Sequence, residues 1–212
     1  NDGPLLKEFE ARIAEIIGVK HVVAVCNATA AIEIACHALG FKGEVILPSY
    51  TFVATAHALQ WQGITPVFCD INPFTHNMDP KKIEKLVTPL TTGIIGVHVW
   101  GRGCDTEAIQ TVADRHHLKV MYDASHAFGC SWEGRNIGSF GECEVFSFHA
   151  TKFINSFEGG AITTNNDKLA EKMRLMRNFG FVDYDKVIFL GINGKMSEIN
   201  AAFGLLQLKG ID

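Results

Sequence analysis

Gly93-Ile94-Ile95-Gly96-Val97-His98-Val99 is the stretch whose reading decides the fold. Its apolar residues are not interrupted by the polar alternation of a half-exposed strand. Such a run is expected to be covered on both faces, as strands of parallel sheets are. Outward from it, the same kind of segment recurs. Upstream, His21-Val22-Val23-Ala24-Val25-Cys26, Glu44-Val45-Ile46-Leu47-Pro48 and Thr65-Pro66-Val67-Phe68-Cys69-Asp70-Ile71 read as strands. Downstream, Leu118-Lys119-Val120-Met121-Tyr122 ends on Asp123, and Val145-Phe146-Ser147-Phe148 follows. Helical patterns separate them. One runs from Asn27-Ala28-Thr29-Ala30-Ala31 through Leu39 to Gly40, and others from Phe52 to Gln62 and from Lys81 to Val87, the last with Asp79 as cap and Pro80 at its first position. A further helix, Thr106 to His116, is capped by Asp105.

At the head of the chain Pro4 opens a helix whose apolar residues Leu5, Leu6, Phe9, Ile13, Ile16 and Ile17 keep close to a helical period, with Gly18 ending it. Beyond residue 152, Phe157-Glu158-Gly159-Gly160 reads as a Gly-kinked turn into one more strand through Thr164. Asp167 is expected to cap a Lys- and Arg-rich helix from Lys168 to Arg177. Residues 178–195 read as irregular, and an amphipathic helix runs from Ser197 to Leu208. This alternation implies an α/β fold with right-handed crossovers: a mainly parallel, doubly wound sheet with helices on both faces. No repeat, low-complexity segment or linker interrupts it, so residues 1–212 are expected to form one domain.

Composition narrows the function classes. The chain has 212 residues, 47% hydrophobic and 20% charged, enough to bury a sizeable core. A net charge of −4 and a pI near 6.1, with no basic run, argue against nucleic acid as a partner. No apolar stretch approaches the roughly 20 residues of a membrane span, and the opening Asn1-Asp2-Gly3-Pro4 does not look like a signal peptide. The six cysteines (Cys26, Cys36, Cys69, Cys104, Cys130, Cys143) form no Cys-x-x-Cys pair, which points to reduced thiols rather than a zinc site. His116-His117, the adjacent histidines, read as a solvated helix end. A cytoplasmic location is expected, with neither metal nor membrane.

In a doubly wound sheet, ligands sit beyond the carboxyl ends of the strands. Four features would share that edge: the Asn27 turn, the Ser49-Tyr50-Thr51 turn, Asp123, and Lys152 in Val145-Phe146-Ser147-Phe148-His149-Ala150-Thr151-Lys152. Singly, each has a bland reading. A Lys after a strand is ordinarily solvated, and an Asp closing one is ordinarily a turn former or cap. Asn27 or Thr29 can be a plain helix cap, and Phe52 a core residue at a helix start. Together they match the needs of pyridoxal phosphate. Its aldehyde takes an amine as a Schiff base, a carboxylate keeps its pyridine nitrogen protonated, a helix N-terminus receives its phosphate, and an aromatic ring can lie flat on it. A Gly-x-Gly-x-x-Gly fingerprint is missing, which argues against a nicotinamide oxidoreductase.

With those residues in place the sequence resembles the DegT/DnrJ/EryC1/StrS family of pyridoxal phosphate-dependent sugar aminotransferases, of fold type I (aspartate aminotransferase-like). The likeness rests on Asn1-Asp2-Gly3-Pro4, Pro48-Ser49-Tyr50-Thr51-Phe52, Asp123-Ala124-Ser125-His126-Ala127, Phe146-Ser147-Phe148-His149-Ala150-Thr151-Lys152, Glu158-Gly159-Gly160-Ala161 and Gly191-Ile192-Asn193. It implies that Lys152 is the Schiff-base lysine and proton shuttle, that Asp123 pairs with the pyridinium nitrogen, that Phe52 stacks on the ring, and that His126 lies near its phenolic oxygen. Ala28, Thr29 and Ser147 would hold the phosphate, and Asn193 would reach the phosphate of a neighbouring subunit in a homodimer with shared active sites. The family usually carries Ser-Gly-Thr where this chain has Asn27-Ala28-Thr29, so a methyl is added where backbone must approach phosphate. The resemblance also implies that the chain is the large-domain portion only, without the family's N-terminal segment and C-terminal small domain.

The activity so implied is transfer of an amino group, with glutamate as donor, to a nucleotide-linked keto-deoxy sugar. A related sugar dehydratase uses the same cofactor, but in that branch a histidine replaces the Schiff-base lysine, and Lys152 argues against it. A non-catalytic fragment that binds pyridoxal phosphate is the alternative from another class.

Overall fold

Residues 3–211 are described by the computed structural model; Asn1 and Asp2 of the opening motif, and Asp212, lie outside the described residues. Seven strands form the main sheet: β1 (His21–Val25), β2 (Glu44–Pro48), β3 (Thr65–Cys69), β4 (Thr91–Val97), β5 (Lys119–Asp123), β8 (Cys143–Ser147) and β9 (Gly160–Thr164). The short pair β6 (Ser131–Trp132) and β7 (Arg135–Asn136) makes a separate hairpin between β5 and β8. The order across the sheet is β1-β9-β8-β5-β4-β2-β3. The pairs β2·β3, β2·β4, β4·β5 and β5·β8 are parallel, whereas β9 runs antiparallel to both its neighbours.

Apart from the edge strand β3, whose Phe68 is exposed, the strands are buried on both faces because their alternate residues feed two cores. One core takes Val22, Ala24, Ile94, Val120 and Phe146, covered by helices α1 (Pro4–Ile17), α4 (Thr106–Arg115) and α6 (Glu198–Leu208). The other takes Val23, Val25, Ile95, Met121 and Val145, covered by α2 (Ala28–Leu39), α3 (Ala54–Gln60) and α5 (Asp167–Arg177). This is the doubly wound α/β arrangement expected of unbroken apolar strands. All six cysteines are free thiols, and Cys36, Cys69, Cys104 and Cys143 are buried. In α1, Leu6, Phe9, Ile13 and Ile17 form the buried stripe, and Gly18 closes the helix at φ 81°.

Several elements differ from expectation. The segment after Asp79 is two 3-10 turns, Pro80–Lys82 and Glu84–Leu86, instead of one α-helix. Asp79 accepts from Lys81 N and Pro80 opens the turn, but Val87 is already extended ahead of Thr88-Pro89, leaving too little chain to propagate α bonds. α3 begins at Ala54, because Thr55 N and Ala56 N bond three residues back to Phe52 and Val53. Asn166 caps α5, with Leu169 N donating to its Oδ1 at 3.1 Å; Asp167 is the first helical residue. The apolar run 93–99 is a strand only to Val97, after which Trp100 takes a left-handed conformation (φ 53°, ψ 28°). Within 178–195 lies a small hairpin of β10 (Phe181–Asp183) and β11 (Lys186–Val187).

Candidate active site

Parallel register sets the site. Val97 of β4 pairs with Asp123 of β5, and Asp123 with Val145 of β8, so these three strands reach their carboxyl ends side by side. His98 N donates to the Asp123 carbonyl at 3.0 Å, and Ala124 N to that of Val145 at 2.8 Å, which ties the edge together. Asp123 is 5% exposed, and its carboxylate accepts three hydrogen bonds. Its Oδ1 accepts from Ser125 N (3.1 Å) and Ser125 Oγ (2.6 Å), and its Oδ2 from Thr55 Oγ1 (2.9 Å).

Beyond β8 the chain folds into a tight turn, with Lys152 N bonded to the His149 carbonyl at 2.9 Å, and the half-buried Lys152 is delivered to the same edge. Opposite, α2 starts at Ala28 with Asn27 as its cap, since Asn27 Oδ1 accepts from Ala30 N at 2.9 Å. The cap leaves the N–H groups of Ala28 and Thr29 without intrahelical acceptors, and Thr29 keeps its hydroxyl for another purpose. Ala28 is half-buried: it packs against the core covered by α2 and also lines the cavity described below. Close approach falls to Gly160, where an added Cβ would stand 2.7 Å from Ala28 N.

A cavity of about 610 Å³ collects these groups. Ala28, Thr29, Phe52, Asp123, His126, Ser147 and Lys152 all line it. Phe52 is 69% exposed, so it is not core filling. Asn193 lies outside this cavity; its Oδ1 accepts from Lys195 Nζ at 2.5 Å and its backbone bridges Asn178. A second cavity of about 400 Å³ shares Ser125, His126, Ser147, Thr151 and Lys152 with the first and is bounded by Trp100 and Phe153.

His126 has its pKa pulled below the usual histidine value, first by loss of hydration, then by the Lys152 cation, with Asp123 opposing. Its Nδ1 accepts from Trp100 N at 3.4 Å, which leaves the proton of the neutral ring on Nε2. Beneath the site, His98 and Glu144 are both fully buried and bonded at 3.1 Å. Cys104 N donates to His98 Nδ1, while Gly138 N and Phe140 N donate to Glu144 Oε1.

Sequence reasoning missed Thr55 and Ser125, which hold Asp123, and the His98–Glu144 pair. The i, i+4 spacing of Thr51 and Thr55 in a turn facing the sheet edge was the available signal for the first of these. The donor set suits pyridoxal 5'-phosphate: an acceptor-only carboxylate for a protonated ring nitrogen, an amine for the aldehyde, an exposed aromatic face, and N–H groups with hydroxyls at a helix N-terminus for the phosphate. The cavity lies in the size range of cofactor pockets.

The DegT/DnrJ/EryC1/StrS aminotransferase family matches this sequence over residues 1–212. A dTDP-4-amino-4,6-dideoxy-D-glucose transaminase of Shigella dysenteriae is 48% identical over 212 residues, covering 100% of this chain and 58% of the relative. Among solved structures, DesI in the presence of its TDP-sugar product superposes with a TM-score of 0.95 at 52% identity, over 99% of this chain and 53% of that one. NtdA of Bacillus subtilis, solved with bound cofactor PMP, gives a TM-score of 0.92 at 36% identity, over 99% of this chain and 48% of that one. The chain thus spans a little over half the length of the Shigella relative.

Proposed function

The chain belongs to the DegT/DnrJ/EryC1/StrS aminotransferase family, and from that premise we propose that it carries the cofactor site of an enzyme moving an amino group from glutamate to a TDP-linked keto-deoxy sugar. One observation carries the reading: Lys152 and Asp123 line one cavity together with Ala28 and Thr29, the first residues of α2. The dTDP-sugar of the Shigella relative and the TDP-sugar product of DesI support the sugar and the nucleotide. Lys152 disfavours the dehydratase branch.

Bound there, pyridoxal 5'-phosphate supplies an aldehyde and an electron-sink ring. The chain's own residues do the rest. Asp123 accepts from the ring N–H, and as a buried carboxylate with every donor aimed at it, it does so without reorganising. Phe52 covers one ring face. Ala28 and Thr29 N–H groups, with the Thr29 and Ser147 hydroxyls, hold the phosphate at the positive end of α2. Neutral His126 offers its Nε2 proton toward the ring's phenolic oxygen. Lys152 Nζ would be the amine that holds the aldehyde, and when free of it would be the base that takes and returns a proton beside the ring. The second cavity, sharing Lys152 with the first, is the space for the acceptor sugar.

Asn193, outside its own chain's cavity and next to the exposed β10–β11 hairpin, is assigned to the partner's phosphate in a homodimer. The test is a half-reaction. Purified protein loaded with pyridoxal phosphate and given glutamate is expected to release one equivalent of 2-oxoglutarate per bound cofactor and convert the cofactor to its amine form. Cofactor bound at Lys152 with no keto acid released would favour the non-catalytic alternative.

A further inference from the structure

The Asp123 carboxylate is oriented by two separate elements, and only one of them is the loop that follows it. Ser125 holds Oδ1 with both its backbone N–H and its hydroxyl. Oδ2 is reached from α3 by Thr55 Oγ1 at 2.9 Å. We propose that Thr55, backed by Thr51, is a positioning residue: its hydroxyl fixes Asp123 Oδ2 for the cofactor's ring nitrogen, from the same turn that presents Phe52. The proposal rests on the cofactor reading above.

Counting protons gives the direction of the contacts. Thr55 has one hydroxyl hydrogen and three acceptors in reach: Thr51 Oγ1 at 2.8 Å, Asp123 Oδ2 at 2.9 Å and the Phe52 carbonyl at 3.1 Å. The Phe52 carbonyl already accepts from Thr55 N at 3.2 Å. An ionised carboxylate can only accept and forms the stronger, charge-assisted bond. The Thr55 hydroxyl therefore donates to Asp123, and Thr51, which has its own hydrogen, donates to Thr55. The relay runs Thr51 to Thr55 to Asp123, each bond polarising the next.

Counting lone pairs gives the consequence. Each carboxylate oxygen has two acceptor sites. Oδ1 spends both on Ser125, and Oδ2 spends one on Thr55. The site left over is on Oδ2, the oxygen whose orientation Thr55 controls. Thr55 is 0% exposed and lies on the first turn of α3, bonded to Phe52 through its N–H. One residue thus ties the two together, its hydroxyl holding the acid that meets the ring edge and its N–H the backbone of the aromatic that covers the ring face.

The experiment compares wild type with Thr55→Val, Thr55→Ser and Thr51→Val. The readouts are cofactor affinity by absorbance titration, the pH dependence of the bound cofactor's visible spectrum, and the melting temperature of the cofactor-free protein. Thr55→Val keeps the shape and removes the proton. It is expected to bind pyridoxal phosphate roughly tenfold more weakly and to shift the spectral pH profile of the bound ring. Thr55→Ser should restore both, and Thr51→Val should weaken binding by roughly two- to threefold. Thr55→Val binding as tightly as wild type with an unshifted profile would overturn the proposal, as would Thr55→Ser behaving like Thr55→Val. If Thr55→Val does not fold, an unchanged Thr51→Val overturns the relay and a weakened one supports it. Wild type that takes up no cofactor would instead overturn the functional reading on which the proposal stands.

Discussion

Gly160→Ala is the substitution whose effect follows most directly from the geometry. Gly160 begins β9, and its φ is not in the left-handed region, so alanine meets no conformational penalty there. Space is the constraint. The new Cβ would stand 2.7 Å from Ala28 N, 2.7 Å from Asn27 C and 2.8 Å from Asn27 O. All three are backbone atoms at the start of α2, and no rotamer change can move them away. Either β9 or the α2 N-terminus must shift by several tenths of an ångström. Overpacking of this kind costs about 1–3 kcal/mol, offset by up to about 1 kcal/mol from the reduced freedom of the unfolded chain. A net loss of about 1–2 kcal/mol lowers the melting temperature by roughly 2–8 °C in a chain of this size. The strained atoms include Ala28 N, assigned to the phosphate, so affinity for pyridoxal phosphate should fall by more than the loss of stability alone explains. Thermal melts without cofactor and absorbance titration with it measure the two effects separately. Gly160→Ala protein with wild-type melting temperature and wild-type affinity would refute the reasoning about the cradle.

Three other outcomes are expected. Asp123→Asn should leave the fold intact, since the amide oxygen can still accept from Ser125 while its NH2 donates to the Thr55 hydroxyl, but should weaken cofactor binding roughly a hundredfold or more by removing the charge opposite the ring nitrogen; a titration within threefold of wild type contradicts this. His126 should titrate below 6.5, the ordinary histidine value, and because the Lys152 cation contributes to that depression, Lys152→Met should move its midpoint up; an NMR titration that moves down, or not at all, counts against the assigned geometry. Glu144→Ala strips acceptors from buried His98 Nε2, Gly138 N and Phe140 N and should cost about 3–5 kcal/mol in denaturant unfolding, with a loss under about 1 kcal/mol contradicting it.

The fold was legible because parallel strands covered on both faces announce themselves as apolar runs, as in Gly93–Val97 and Val120–Tyr122. The direction of β9 was not, since side-chain periodicity is the same for either direction. The absence of a helical stretch between Ser147 and Gly160 was the clue, because a parallel return needs a crossover. The 3-10 turns after Asp79 share their cap and proline with an α-helix and differ only in how soon the chain is stopped. β10 and β11 are exposed and carry no core pattern. In the site, Asp123 and Lys152 stood out because each closes or follows a strand on the same edge. Thr55 did not: a threonine inside a short helix looks ordinary until its hydroxyl is seen facing a carboxylate from another strand.

Borohydride reduction of the protein loaded with pyridoxal phosphate, followed by peptide mass mapping, tests the central assignment most directly. The account predicts one stable pyridoxyl group per chain, on Lys152, and its loss in Lys152→Met. A label spread over exposed lysines such as Lys20 or Lys42, with Lys152 unmodified, would contradict it.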